Sequence, residues 1–404
     1  MFRLYSSIYV LSLLPILLAA LPQDQKSILR SKEAIPGRYI VKLKSDTANR
    51  QALPALSGIT HRWSGWNGFA GNFSSETLHR LLASPEVEFV EEDGITSIPS
   101  ESKIEPRSTQ VVVTQTDATW GLARISQDAK LSNQNPNALF TYNYGVQAGQ
   151  GVDIYVLDTG VYIGHSDFGG RAGIGITFGG YPDTDGNGHG THCAATAAGT
   201  KYGVAKLASI ISVKVLSDQG SGAISDIISG IDWVMQSSAS SGRPSVILAP
   251  FGGSASTSLD NAVVAATNAG VHFVTTAGNS NTDAANFSPG RVPAAITVAA
   301  STIADAVSTS SNSGSVIDLF APGQNVLSAW IGSPTASAIL SGGSSAAAHV
   351  AGLAAYLLSV IGTNITVETA LETTSVKNVL TGVPPGTANR LASNNVTRLG
   401  ITIL

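Results

Sequence analysis

Two textures of hydrophobic patterning divide the chain. From about residue 113 onward, short apolar runs alternate with stretches of small residues long enough for helices. The runs Val152–Leu157, Ala208–Leu216, Ser245–Ala249, Val271–Thr276 and Ala295–Ala300 are too short for buried helices and too apolar for half-exposed strands, so they predict strands covered on both faces. Residues 189–198, 225–236, 258–269 and 344–360 predict the covering helices. Strand and helix in alternation predict an α/β fold with a mainly parallel sheet flanked by helices. In such sheets reactive groups collect in the crevice at the carboxyl ends of the strands.

Ahead of this region, residues 36–97 form a smaller unit with a different rhythm. Residues 38–43 alternate like a strand, residues 75–82 read as a helix, and residues 87–91 predict a further strand, together a small α+β domain. Residues 99–110, with Ser100, Ser102, Pro106 and Ser108, have the composition of an exposed linker, where proteolysis is easiest. At the start, Arg3 precedes the apolar stretch Ile8–Ala20, which is short for a bilayer span and ends in small residues; residues 1–20 therefore read as a secretory signal peptide. The organisation expected is a signal (1–20), a second segment (21–112) and a main domain (113–404).

Composition narrows the function classes. Charged residues are only 12% of 404, and the net charge of -4 comes with no dense run of Lys or Arg, which argues against nucleic acid as a partner. Cys193 is the single cysteine, so no internal disulfide can form in spite of the secretory leader. Stability then falls to a large core, with bound ions as a further source.

Four residues at predicted element ends carry candidate chemistry. Asp158 follows a strand and precedes the turn Thr159-Gly160; His189 opens a helix inside Gly186-Asn187-Gly188-His189-Gly190. Ser344 opens another helix after Gly342-Gly343, and Asn279 follows a strand in Ala277-Gly278-Asn279. Each alone has an ordinary reading as a turn or cap. A dinucleotide turn at 186–190 lacks the third glycine and a suitably placed acid. A metal site on His189, His192 and Cys193 lacks a fourth ligand. What decides is the set: an acid, an imidazole and a hydroxyl in one crevice form a nucleophile and its base, and the helix amino terminus beside Ser344, with the Asn279 amide, offers donors to an oxyanion.

Asp158-Thr159-Gly160, Gly188-His189-Gly190-Thr191-His192, Ala277-Gly278-Asn279 and Gly343-Ser344 resemble the active-site blocks of the subtilisin family. Trp120 to Ser126, Val213 to Leu216 and His349 to Leu357 are similar to its proteinase K branch, and residues 36–97 resemble the family's inhibitory propeptide. The resemblance implies a secreted serine endopeptidase with Asp158, His189 and Ser344 as triad and Asn279 in the oxyanion hole. It would be made as a self-processing zymogen cut near Val112–Val113, and would need no cofactor for catalysis. Its implied partners are protein and peptide substrates and its own propeptide; no membrane partner remains after signal removal, and a monomer is expected.

The resemblance also implies that Gly220, Ser221, Gly222 and Phe251, Gly252, Gly253 form two edges pairing with an extended substrate, with Ile224 shaping a pocket. It implies structural calcium on Asp318 with the carbonyls of Pro293 and Ala295. Asn364 and Asn395 begin glycosylation sequons. Two departures stand out: Ser345, Ala347 and Ala348 follow the nucleophile where relatives carry other residues, and Pro250 precedes the glycine edge in place of Ser. They support a second reading, a catalytically impaired homologue that binds peptides or proteins.

Overall fold

The structure is a computed structural model, which describes residues 26–44, 56–97, 115–116, 118–360 and 366–395. The signal segment, the linker, the cut near Val112–Val113 and Asn364 lie outside the described residues.

The first module contains β1 (Ile28–Leu29), β2 (Ala34–Leu43), β3 (Ile59–Trp63), β4 (Gly68–Asn72), α1 (Ser75–Ala83) and β5 (Val87–Ser97). Its sheet runs in the order β1-β5-β2-β4-β3. Val41, Phe69, Leu78, Leu81, Val87 and Val90 form its own core under α1. The helix is fixed at its start by Ser74, whose hydroxyl accepts from Thr77 N–H.

The main module opens with α2 (Trp120–Ile125), then β6 (Asp153–Asp158), β7 (Ala172–Thr177), α3 (His189–Ala198), β8 (Ser209–Lys214), β9 (Ser221–Ala223), α4 (Ile224–Ser241) and β10 (Ser245–Ala249). There follow β11 (Gly253–Ser254), α5 (Thr257–Asn268), β12 (His272–Thr276), β13 (Phe287–Ser288), β14 (Ile296–Ser301) and β15 (Leu319–Pro322). The chain closes with β16 (Val326–Ala329), β17 (Ser337–Leu340), α6 (Gly343–Leu358), α7 (Val367–Thr374), β18 (Val376–Lys377) and β19 (Arg390–Leu391). Nine strands in the order β18-β19-β15-β14-β12-β10-β6-β8-β7 make the central sheet, parallel except at the β18–β19 edge.

Alternate side chains of this sheet serve opposite layers, as the pleat requires. Ile154 and Val156 of β6 join α3 and α6 in one core. Tyr155 and Leu157 join Ile227, Ile231 and Val234 of α4 and Leu259, Ala262 and Val263 of α5 in the other. Among the described residues all five predicted strands are present, with ends moved by a few residues, and α4 continues to Ser241 past the predicted end at 236. The pattern did not predict α2, β7 or β15: α2 is one and a half turns long, β7 reads Ala-Gly-Ile-Gly-Ile-Thr, and β15 ends in Pro322.

The first module packs on the α4–α5 face, where Ile40, Trp63, Trp66 and Ala70 complete the second core. Polar contacts lock it there. Trp63 Nε1 donates to Ser229 Oγ at 2.9 Å, and Gly65 N–H to Asp232 Oδ1 at 2.9 Å. Asp93 Oδ1 accepts from Ser225 N–H at 3.1 Å, and Glu91 Oε2 accepts from Ser258 N–H at 2.7 Å. Both carboxylates reach from β5 to the first turns of α4 and α5, where orphan N–H groups and the helix dipole favour an anion.

Candidate active site

Asp158 is the last residue of β6 and His189 the first of α3, and the fold brings them together. The imidazole Nδ1 lies 2.9 Å from Asp158 Oδ1 and 2.8 Å from Oδ2, with both side chains almost wholly excluded from water. Since a carboxylate only accepts, Nδ1 carries the proton and Nε2 is left as the basic nitrogen. Asp158 is held in turn by Thr159 N–H at 2.6 Å. Gly188, ahead of the helix, has φ of 100°, and a Cβ there would lie 2.5 Å from the Trp330 ring, so the turn requires glycine.

Ser344 is the second residue of α6 and is fully buried. Its hydroxyl donates to the Pro250 carbonyl at 2.8 Å. Pro250 follows β10, and the parallel register Leu248↔Val156 brings it level with Asp158 on the neighbouring strand. Ser344 and His189 therefore stand over the carboxyl ends of adjacent strands. The departure at Pro250 leaves this arrangement intact, because the carbonyl is the group in use. Asn279 Oδ1 accepts from Gly343 N–H at 2.7 Å, which orients the amide beside the start of α6 with Nδ2 as its donor branch. A Cβ on Gly343 would lie 2.2 Å from Thr276 Oγ1, so glycine permits this approach.

The two candidate edges hold the chain's own strand between them. Ile95, Thr96 and Ser97 of β5 pair antiparallel with Ala223, Gly222 and Ser221. On the other side Ser97 exchanges both backbone hydrogen bonds with Gly252, at 3.4 and 3.2 Å. Gly220 makes the turn before the first edge at φ of 81°. A Cβ on Gly253 would lie 2.6 Å from Thr96 Oγ1, so the strand needs a glycine wall. Ile224 is buried, with Cδ1 3.3 Å from where a Cβ on Gly94 would be. The Phe251 side chain is fully buried in the α4–α5 core, so this residue offers the strand only its backbone.

Asp318, Pro293 and Ala295 line one cavity of about 400 Å³ together with Glu368, Glu372 and Arg390. Asp318 Oδ2 accepts from Thr297 N–H at 2.7 Å, and burial pushes the carboxyl up to about 6. The half-buried Asp318 carboxylate, with Glu368 and Glu372 in the same cavity, offers oxygen ligands to a hard cation. The set His189, His192 and Cys193 does not assemble: His192 Nε2 lies 3.1 Å from the Val326 carbonyl and its ring meets Trp330 edge-on. Cys193 instead lies beneath the base, with Sγ 3.9 Å from His189 Nε2. Asn395 is half-buried, its N–H donating to Ser393 Oγ at 3.2 Å.

Residues 149–398 match the family model described as Subtilase family, and residues 38–98 match that of Peptidase inhibitor I9. The chain belongs to the subtilase family. It is a subtilisin-like serine protease carrying an inhibitor-type propeptide domain. It is 42% identical over 374 residues to the cuticle-degrading protease of Metarhizium anisopliae, covering 90% of this chain and 91% of that one. It is 41% identical over 401 residues to an alkaline serine protease of Corniculantispora psalliotae, covering 96% and 99%. A crystal structure of a cold adapted subtilisin-like serine proteinase superposes with a TM-score of 0.61 at 43% identity, over 69% of this chain and 98% of the other. Among the described residues no helix is long and apolar enough to cross a membrane.

Proposed function

We propose that Asp158, His189 and Ser344 are the catalytic triad of a secreted endopeptidase of broad specificity, activated by cutting itself. Rotation of the Ser344 hydroxyl away from Pro250 delivers its proton to His189 Nε2 as Oγ attacks the peptide carbonyl. The imidazolium, stabilised by Asp158, returns that proton to the departing amine. Water then repeats the sequence on the acyl-enzyme ester, restoring free Ser344 and releasing the acid. Asn279 Nδ2 and the Ser344 N–H stabilise the tetrahedral oxyanion. The observation that carries this reading is the His189 ring held by both oxygens of a buried carboxylate, which fixes the tautomer and the orientation of the base.

Pairing through Ser221, Gly222 and Gly252 reads backbone, so the side chains of a substrate are restricted only where Ile224 and its neighbours form a pocket. The propeptide strand occupies the same edges and inhibits by the same pairing. The self-cut falls after this strand, in the linker, near Val112–Val113. The signal at 1–20, the sequons at Asn364 and Asn395, a monomeric mature form and structural calcium at Asp318, Pro293 and Ala295 complete the reading. The test is Ser344→Ala: it is expected to accumulate as an uncut precursor, and normal self-processing in that variant would refute the assignment.

A further inference from the structure

The catalytic acid and base come from separate segments, the end of β6 and the start of α3. A buried carboxylate that takes no part in the proposed chemistry joins them. Asp185 is 7% exposed, and each of its five hydrogen bonds comes from a donor of one of these two segments. Oδ1 accepts from Thr159 Oγ1 at 2.9 Å, Asn187 N–H at 3.1 Å and Gly188 N–H at 2.8 Å. Oδ2 accepts from Thr191 N–H at 3.0 Å and Thr191 Oγ1 at 2.6 Å.

The cap residue of α3 is Gly188, which has no side chain to offer, so Asp185 satisfies the orphan N–H groups around His189 from three residues further back. The same carboxylate takes the hydroxyl of Thr159, the residue next to Asp158 in the chain. Thr159 Oγ1 also accepts from Gly190 N–H at 3.1 Å, the residue next to His189. Thr191 Oγ1 reaches back to the first segment by accepting from Tyr162 N–H at 2.9 Å. Two short bridges, Gly190 to Thr159 and Tyr162 to Thr191, thus flank the Asp158–His189 pair, and Asp185 holds the threonine hydroxyl of each.

We infer that Asp185 is a positioning residue for the triad: it sets the distance and angle at which Asp158 meets His189, without touching substrate. The inference rests on the triad assignment above. All five partners are donors, so an amide in place of the carboxylate turns an NH₂ group toward at least two of them. Asp185→Asn therefore loses those bonds without changing the size of the side chain.

The test uses the mature protein, with functional sites counted by a fluorophosphonate label so that unfolded molecules do not enter the rate. Asp185→Asn is expected to lower kcat per labelled site about 10- to 100-fold with KM nearly unchanged, because a displacement of about 1 Å at a reacting pair costs up to about 10²-fold. Thr159→Val, which keeps shape and removes one bridge, is expected to lower kcat by a smaller factor, and Thr159→Ser to restore it. The Thr159 pair decides the matter if Asp185→Asn does not fold. Wild-type kcat per site in Thr159→Val, a loss expressed only in KM, or equal losses in Thr159→Val and Thr159→Ser would overturn the inference. Failure of the wild-type protein to take the label would count against the triad itself, a separate outcome.

Discussion

At the scale of single residues, the site is built by burying polar groups and then satisfying them. Asp158 has no exposed surface, yet it is met by the Thr159 N–H and the His189 ring. Asn279 is oriented by Gly343, so its donor is fixed before any substrate arrives. On the oxyanion role proposed for Asn279, its replacement by Leu is expected to reduce kcat about 10²- to 10³-fold with little change in KM, the magnitude such a side-chain donor has in subtilisin. Steady-state kinetics on a peptide ester or amide checks this. Asp158, His189, Asn279 and Ser344 were legible as candidates in the sequence because each lies within two residues of a glycine at the end of a predicted element. Asp185 was not, since an acid in a glycine-rich loop reads as a turn former until its partners, up to 26 positions away, are seen. The metal set His189, His192 and Cys193, set aside in the sequence for want of a fourth ligand, also fails in the fold, where buried His192 turns its Nε2 to the Val326 carbonyl.

At the scale of elements, the propeptide and the peptidase share helix ends. The residue before α4 is Ala223, which has no capping side chain, so Asp93 supplies that cap from the other module; the Glu91 carboxylate also accepts the Ser258 hydroxyl in α5. Burial pushes both carboxyls above their ordinary range in spite of these donors. A cap is worth about 1 kcal/mol, so Glu91→Ala together with Asp93→Ala is expected to weaken retention of the cut propeptide by at least about tenfold. The dissociation constant, measured against a Ser344→Ala peptidase so that nothing is digested, tests this; an unchanged constant would show the caps to be dispensable. Strand and helix patterns gave β2, α1 and β5 of the first module and, in the main module, the five long core strands with α3, α4, α5 and α6; the short strands and α7 carry too few residues to show a period. The contact between modules was not legible, because Glu91 and Asp93 belong to the acidic run Glu91-Glu92-Asp93, which reads as a solvated stretch.

At the scale of the whole molecule, a chain with one cysteine relies on two large cores and on side chains that tie distant segments together. Arg124 and Asp305, both buried, pair at 2.7 Å across 181 positions. The strand order was beyond the sequence: β10 lies between β6 and β12, and nothing in local periodicity states which runs become neighbours. The cavity at Asp318 adds the proposed ion to this framework. Chelation is expected to lower Tm in the wild type and to leave Asp318→Asn unaffected. The carboxyl must lose its proton to hold a cation, and burial has raised it to about 6, so the calcium-dependent part of Tm should be full above that pH and shrink as pH falls through it. Thermal denaturation with calcium or chelator at pH 5 and pH 8 reads both effects.

The proposed function depends on one hydroxyl being made nucleophilic by one imidazole. Reaction of the mature protein with a fluorophosphonate, followed by mapping of the modified peptide, tests that dependence directly. The expected result is a single adduct on Ser344, abolished in Ser344→Ala and strongly slowed in His189→Ala; no adduct, or an adduct on another serine, would contradict it.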